Sequence, residues 1–130
     1  MTITTTRERR VSEREILAFA TLTGDSHPQH TDPDWAAGSR FGEQIAHGLL
    51  VMSFTVGLLG LDPDRVVALR RVRDAVFKRP VKIGDVIRVE DTTIGRRPVD
   101  EDHELVDVRL RVLNQEDRLV LTATMELLCR

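Results

Sequence analysis

The stretch HGLLVMSFTVGLL, residues 47–59, is the main indication of the fold class, because it is apolar almost all the way round. A helix without a polar stripe is expected to be buried on every side. The apolar run from Gly48 to Gly60 is interrupted by Ser53 and Thr55, and it is too short to cross a bilayer. We therefore predict a buried helix with no solvent face, and no membrane as a partner.

The second half of the chain carries strand patterns that could surround such a helix. Residues 106–112 and 119–127 alternate between apolar and polar positions, which predicts two strands with one wet face each, joined by a turn at 114–118. Two further strands are predicted at 66–78 and 87–94, followed by a polar loop at 95–103. Together these elements predict an α+β fold, in which a curled antiparallel sheet wraps around the helix.

Four or five strands cannot cover an apolar helix on all sides. A second copy of the chain is the simplest remedy, with the two sheets joined edge to edge. The sequence therefore predicts a homodimer, with a heterodimer as the alternative.

The first half of the chain reads as helices and loops. Residues 12–23 begin with a capping box, Ser12 with Glu15, and are followed by Gly24, so we predict an amphipathic helix. Asp32 is the predicted N-cap of a short helix that runs through residue 37. Between the two helices, Pro28 is expected to end any helix.

Composition narrows the class of protein. A chain of 130 residues, 41% hydrophobic and 31% charged, fits one globular domain over residues 1–130. Its net charge of −2 argues against a nucleic-acid binder. Cys129 is the only cysteine, so no internal disulfide is expected. The first ten residues have no apolar centre and do not resemble a secretory signal, and we expect a cytoplasmic protein.

Two residues between the first two predicted helices, together with a glycine at the start of the apolar helix, predict an acid–base pair and a donor for an oxyanion. Asp25 and His30 are five residues apart across a loop bent by Pro28, so their side chains could converge. An aspartate can hold a water molecule, and a histidine can give or take a proton near neutral pH. Gly48 begins the apolar helix, where its backbone N–H is unpaired and could stabilise a developing oxyanion.

These residues belong to a longer motif, and residues 19–53 resemble the MaoC-like, (R)-specific enoyl-CoA hydratase family of hot-dog-fold proteins. The pattern of that family is close to F…TGD-x-N-P-x-H-x-D…A…FG…IAHG-[ML]-L…S. The chain matches this pattern at Phe19, Thr23, Gly24, Asp25, Pro28, His30, Asp32, Ala36, Phe41, Gly42, Ile45, Ala46, His47, Gly48 and Ser53. Residues 77–81 with Gly84 and Asp85 also resemble a second motif of the family, F…PV…GD, which leads into a strand.

The resemblance implies a reaction: water adds across the 2,3-double bond of an enoyl thioester, or leaves a 3-hydroxyacyl thioester in reverse. The catalytic pair of the family falls on Asp25 and His30, and its carbonyl-binding N–H falls on Gly48. The acyl group would be carried by coenzyme A or by acyl carrier protein, at a site built by two protomers. Neither a metal nor another cofactor is implied.

One position departs from the family, because His27 stands where asparagine is usual. The substitution bears on the geometry of the pocket and leaves the catalytic pair in place. His47 is interpreted as a helix-start residue whose ring packs or caps, and Ser53 as a residue that bonds back to a carbonyl. Contact with substrate is the alternative for both residues. A metal site at His27, His30 and Asp25 is disfavoured, since the loop offers no fourth ligand.

A basic cluster lies along the third predicted strand: Arg70, Arg71, Arg73, Lys78 and Arg79. It is either a solvated strand face or a contact for the phosphates of coenzyme A or for an acidic carrier protein. Two rival functions remain open. One is an acyl-thioester-binding subunit without activity of its own, and the other is a hot-dog thioesterase, which would release a free thiol.

Overall fold

The computed structural model describes residues 2–130. Two very short strands precede four helices, and four long strands follow them. The elements are β1 (Thr4–Thr5), β2 (Arg9–Arg10), α1 (Glu13–Thr23), α2 (Pro28–Thr31), α3 (Pro33–Ala37), α4 (Gly48–Leu59), β3 (Val66–Phe77), β4 (Val86–Pro98), β5 (Glu104–Leu113) and β6 (Leu119–Cys129).

Local signals fix the ends of α1, as predicted. The backbone N–H of Glu15 donates to the Ser12 hydroxyl, and the Glu15 carboxylate accepts from the backbone N–H of Ser12, which completes the capping box. Gly24 ends the helix at a φ of 82°, where its N–H bonds to the carbonyl of Ala20. A side chain at this left-handed position would be strained, so glycine is the residue that suits it.

The four long strands form one antiparallel sheet in the order β4-β5-β6-β3, with β1 and β2 both paired to β4. The β5–β6 turn lies where the sequence predicts it, because the side chain of Asn114 accepts from the N–H groups of Glu116 and Arg118. The strand β4 is longer than predicted and runs through Pro98, with a register shift at Gly95. Pairing with the whole of β5 extends it.

The helix α4 packs against the concave face of the sheet and confirms the predicted α+β hot-dog fold. Leu110, Leu121 and Met125 on this face have no exposed surface. The prediction that α4 has no solvent face is wrong for the single chain, since Leu49 is 68% exposed at the head of an open stripe. The sheet covers only one side of the helix. No helix of residues 2–130 is long and apolar enough to cross a membrane.

Part of the outer face of β5 and β6 is also covered, although the alternation predicts a wet face, while Arg109 and Arg111 on the same face are exposed as predicted. Asp107 and Glu126 are paired directly across these strands and both are buried. Arginines lie over them: Arg97 bonds both carboxylates, and Arg73 bonds Asp107 at 3.0 Å. Two like charges placed opposite each other would repel. The guanidinium groups neutralise the pair and cover it at the same time.

The opposite edge of the sheet is open, because β3 pairs only with β6 among the described residues. Apolar side chains along it are between 41% and 49% exposed: Val67, Leu69, Val72, Val76 and Phe77. A long apolar edge of this kind is rare on a monomer. It is the surface on which the homodimer predicted from the sequence would form.

Candidate active site

A cavity of about 460 Å³ lies between the start of α4 and the end of β3. Its wall is mainly apolar and includes Phe19, Phe41 and Val81. The polar groups gather at one end, where Asp25, His30 and His47 line the wall together. Concave apolar pockets with a few convergent polar groups are the usual form of a small-molecule site.

His30 is held in one tautomer by the backbone. It lies in α2, and its Nδ1–H donates to the carbonyl of Ile45 at 2.7 Å. Since a carbonyl can only accept, the neutral ring carries its proton on Nδ1 and leaves Nε2 as a bare acceptor. Burial lowers the pKa of His30, and the nearby His47 lowers it further. At neutral pH the residue is therefore a base with a free lone pair.

His47 packs against His30 and ties two segments together. Its ring stacks on His30 with centroids 3.9 Å apart, and its edge meets the ring of Phe19. Its Nε2–H donates to the backbone carbonyl of Asp25 at 2.9 Å. The side chain makes no capping bond to α4, so packing is the role that the structure gives it. Only 2% of the residue is exposed.

Asp25 follows the end of α1 and keeps its carboxylate largely free. The backbone N–H of Asp25 bonds to the hydroxyl of Thr23, and the carboxylate receives only a long 3.5 Å contact from the N–H of His27. The residue is exposed and lines the cavity beside His30. Its backbone is thus fixed from both sides while its side chain remains open to a ligand.

Asp25, His30 and His47 each offer a donor atom within 4.8 Å of the others, and among the described residues they are the group that could hold a metal. The two imidazole planes lie only 24° apart in a stack. Ring nitrogens of stacked imidazoles point side by side, whereas a tetrahedral metal needs its ligands to converge. The stacking therefore favours acid–base chemistry over metal binding.

Gly48 supplies a backbone donor at the same end of the cavity. It is the first residue of α4, and its N–H has no acceptor among residues 2–130. The helix dipole adds partial positive charge there. A Cβ at this position would lie 2.7 Å from Cδ1 of the Phe77 ring, which is closer than real Cβ atoms come. Glycine is required here by the approach of Phe77.

The residue that departs from the family pattern caps a helix. The Nδ1 atom of His27 accepts the backbone N–H of Gln29 at 3.0 Å, and its ring meets Trp35 edge to face. Pro28 begins α2 rather than ending a helix, so that prediction is wrong. Proline suits a first helical position because its nitrogen has no hydrogen to leave unpaired. An asparagine here could make the same capping bond.

The structure divides the basic cluster of β3 into two groups. Arg70 and Arg71 lie near Glu126, and Arg73 bonds Asp107, all on the outer face. Lys78 and Arg79 instead line the cavity. The two groups therefore face different surroundings, although they are close in sequence.

The remaining candidate lies outside the cavity. The hydroxyl of Ser53 donates to the carbonyl of Leu49, on the exposed stripe of α4. Sequence reasoning missed the Ile45 carbonyl that orients His30, because a backbone oxygen leaves no mark in a sequence. It also missed the contact between Phe77 and Gly48, which joins segments far apart in the chain.

The fold and the site define a class of protein: a hot-dog domain whose cavity ends in an aspartate, a histidine and a helix N-terminus. The chain belongs to the MaoC-like domain family, whose model matches residues 1–115.

Individual relatives agree with this assignment. The chain is 32% identical to an (R)-specific enoyl-CoA hydratase of Aeromonas caviae over 114 residues, 88% of this chain and 83% of that protein. It is 30% identical to the 3-hydroxyacyl-thioester dehydratase Z of Mycobacterium tuberculosis over 93 residues, 65% of this chain and 59% of that protein. A solved protein of Archaeoglobus fulgidus, described as a monoamine oxidase regulatory protein, superposes with a TM-score of 0.92 at 37% identity. That superposition covers 99% of this chain and 88% of that one.

Proposed function

We propose that the chain is an (R)-specific enoyl-thioester hydratase, a hydro-lyase that also runs in reverse as a 3-hydroxyacyl-thioester dehydratase. One observation carries the proposal: the bare Nε2 of His30 and the free carboxylate of Asp25 line the same cavity as the unpaired N–H of Gly48. The names of the relatives support the same reaction class. We propose coenzyme A or acyl carrier protein as the thioester carrier.

In the proposed reaction, Asp25 and His30 hold one water molecule against C3 of the enoyl group. The water oxygen forms a bond to C3, and Nε2 of His30 takes one of its protons as the attack proceeds. The electron pair of the double bond moves towards the thioester, and C2 then receives the proton that His30 took from the water, which returns the ring to its neutral form. The N–H of Gly48 stabilises the negative charge on the thioester oxygen, a contribution of about 2.7–4 kcal/mol for one such donor.

We also propose that two copies of the chain join along β3. The exposed apolar side chains of that edge and the open stripe of α4 support this, because both would be covered by a second copy. Light scattering on the purified protein is expected to give twice the mass of one chain. The variant Val72→Lys is expected to lower the mass, because it places a charge in the joint. The control Val99→Lys, in an exposed loop, is expected to keep the dimer.

The decisive experiment follows the absorbance of a short trans-2-enoyl-CoA after addition of the protein. Asp25→Asn and His30→Gln are expected to slow its loss by about 10²–10⁴-fold, since each removes an acid–base group. Asp34→Asn and His103→Gln change the same residue types at positions that do not line the cavity, and both should keep full activity. Equal activity in all five proteins would contradict the proposed roles.

The same assay separates the rival functions. Hydration keeps the thioester intact, whereas a thioesterase releases a thiol that a colorimetric reagent detects. Thiol release at the rate of absorbance loss would replace the hydratase by a thioesterase. Binding of the enoyl-CoA without any turnover would instead favour a non-catalytic subunit.

A further inference from the structure

A second groove, of about 390 Å³, lies on the outer face of the sheet near the end of β3. Arg109 and Arg111 of β5 line one side, and Lys78 lines the other. The hydroxyl groups of Thr122 and Thr124 on β6 form its floor, since these residues pair with the two arginines across the strands. The groove therefore combines cations with hydroxyl donors.

Most arginines of the outer face are committed to carboxylates, including Arg111 of the groove itself, but two other cations of the groove are not. Arg70 and Arg97 bond Glu126, and Arg111 bonds Glu90 at 2.6 Å. No acidic group among residues 2–130 lies within ion-pair distance of Lys78 or Arg109. The one carboxylate in the lining, that of Asp74, leaves the groove with net positive charge. Two uncommitted cations in one concave place favour an anion as ligand.

Lys78 connects this groove to the cavity on the other side of the sheet, because it lines both. It directly follows Phe77, the residue whose ring lies on Gly48. A long ligand with its thioester at Gly48 would therefore leave the cavity past Lys78 and turn towards Arg109. Val76 lines the groove and also belongs to the β3 edge, so in the proposed dimer the groove would lie beside the joint of the two sheets.

We propose that this groove is the subsite for the phosphate of the phosphopantetheine arm, the group that coenzyme A and acyl carrier protein share. The proposal rests on the function proposed above, which supplies the thioester. Arg109 presents a planar fork of donors that suits a phosphate, and Lys78 adds a mobile point charge. The hydroxyl groups of Thr122 and Thr124 complete the donor set. The arginines Arg70 and Arg73, which the sequence singled out, take no part.

Calorimetry with three ligands tests the groove without any turnover. Pantetheine lacks the phosphate, 4′-phosphopantetheine has one, and coenzyme A has the further phosphates of its nucleotide. In the wild type the single phosphate is expected to tighten binding about ten-fold over pantetheine, an effect typical of charge-assisted hydrogen bonds. Arg109→Ala should remove most of this gain and leave pantetheine binding unchanged, while Lys78→Ala, which also alters the wall of the cavity, should reduce the gain as well. The control Arg118→Ala, in the exposed β5–β6 turn, should keep it.

Two results would overturn the proposal. One is a wild type that binds pantetheine and phosphopantetheine equally. The other is an Arg109→Ala variant that loses both ligands to the same extent. The Asp25→Asn variant should keep the full phosphate gain, so the groove is tested even in a protein without turnover. A protein that hydrates enoyl-CoA but ignores the phosphate would retain the proposed function and lose only the groove.

Two substrates distinguish the phosphate of the shared arm from the nucleotide phosphates that only coenzyme A carries. With an enoyl-CoA and an enoyl–carrier protein, Arg109→Ala should raise the KM of both several-fold at unchanged kcat. A rise for enoyl-CoA alone would place the nucleotide phosphates in the groove and contradict the assignment to the shared arm.

Discussion

Both faces of the sheet contain buried side chains, but these are covered by different means. On the concave face Leu121 and Met125 pack against the core around α4 and have no exposed surface. On the outer face Glu126 is equally covered, yet its cover consists of guanidinium groups that are themselves half-exposed. Alternation along a strand therefore tells which residues share a face. It does not tell whether the polar face is wet.

The two kinds of cover should respond to different changes. Apolar packing depends on volume and shape, and it hardly depends on pH. A carboxylate under arginines depends on its charge, so acid and salt act on it. The following predictions separate the two faces in order of expected effect.

The largest effect is expected from Leu121→Ala on the concave face. Loss of a fully buried leucine side chain leaves a cavity and should lower the free energy of unfolding by about 2–5 kcal/mol. Thr122→Ala, the next residue on the outer face, should change it by roughly 0.5 kcal/mol or less. Denaturation in urea measures both. Equal losses would remove the distinction between the faces.

A smaller effect is expected at the contact of Gly48 with Phe77. Gly48→Ala should cost about 1–3 kcal/mol, because the new Cβ overlaps the ring. Phe77→Ala in the same chain makes room, so the double variant should lose less stability than the two single changes added together. Strict additivity in this cycle would mean that the ring moves away freely.

On the outer face, Glu126→Gln should lower the free energy of unfolding near neutral pH but not in acid. Hydrogen bonds from Arg70, and then from Arg97, hold the pKa of Glu126 below its usual value. A lowered carboxyl pKa stabilises the fold above the unfolded value of 4.5 and loses this effect as the pH falls through the folded value. The difference in free energy of unfolding between wild type and variant, measured by urea denaturation at several pH values, should thus disappear in acid. Leu121→Ala should show the same gap at every pH.

The smallest change is expected in the pH profile of the proposed hydratase. Burial holds the pKa of His30 below its usual 6.5, and the neutral ring is the proposed base. The rate kcat/KM should therefore rise with pH through a limb that lies below 6.5 and stay level near neutrality. His47→Gln should move this limb upwards, since the stacked ring lowers the pKa of His30. A rise of kcat/KM centred above pH 6.5 would contradict the role of His30 as the base.

Features that depend on neighbours in the sequence were predictable. The capping box of Ser12, the stop at Gly24 and the N-cap at Asp32 each need only a few adjacent residues, and all three are confirmed. Alternation predicted β5 and β6, whereas the strand predicted at 66–78 was less regular and the strand predicted at 87–94 ended four residues too early. The curled arrangement was predicted from the apolar helix. The motif predicted that Asp25 and His30 converge, and the structure brings both to one cavity, although His30 lies in α2 and not in a loop.

Features that depend on distant partners were not predictable. The strands β1 and β2 are two residues long and form only because β4 offers them partners. The stack of His30 on His47 joins residues 17 positions apart in the chain. The bond from Arg97 to Glu126 joins residues 29 positions apart, on strands β4 and β6. The tautomer of His30 depends on a backbone carbonyl, which every residue has.

The irregularity of β3 limits what can add to its open edge. Asp74 has a φ of 54°, and the register with β6 shifts three times along the strand. Bulges of this kind break the even repeat of donors and acceptors that a regular strand needs in order to dock. A second copy with the same breaks can still match it. In the dimer that we propose, such an edge would disfavour pairing with foreign strands and open-ended fibre growth while it still accepts a second copy of the chain.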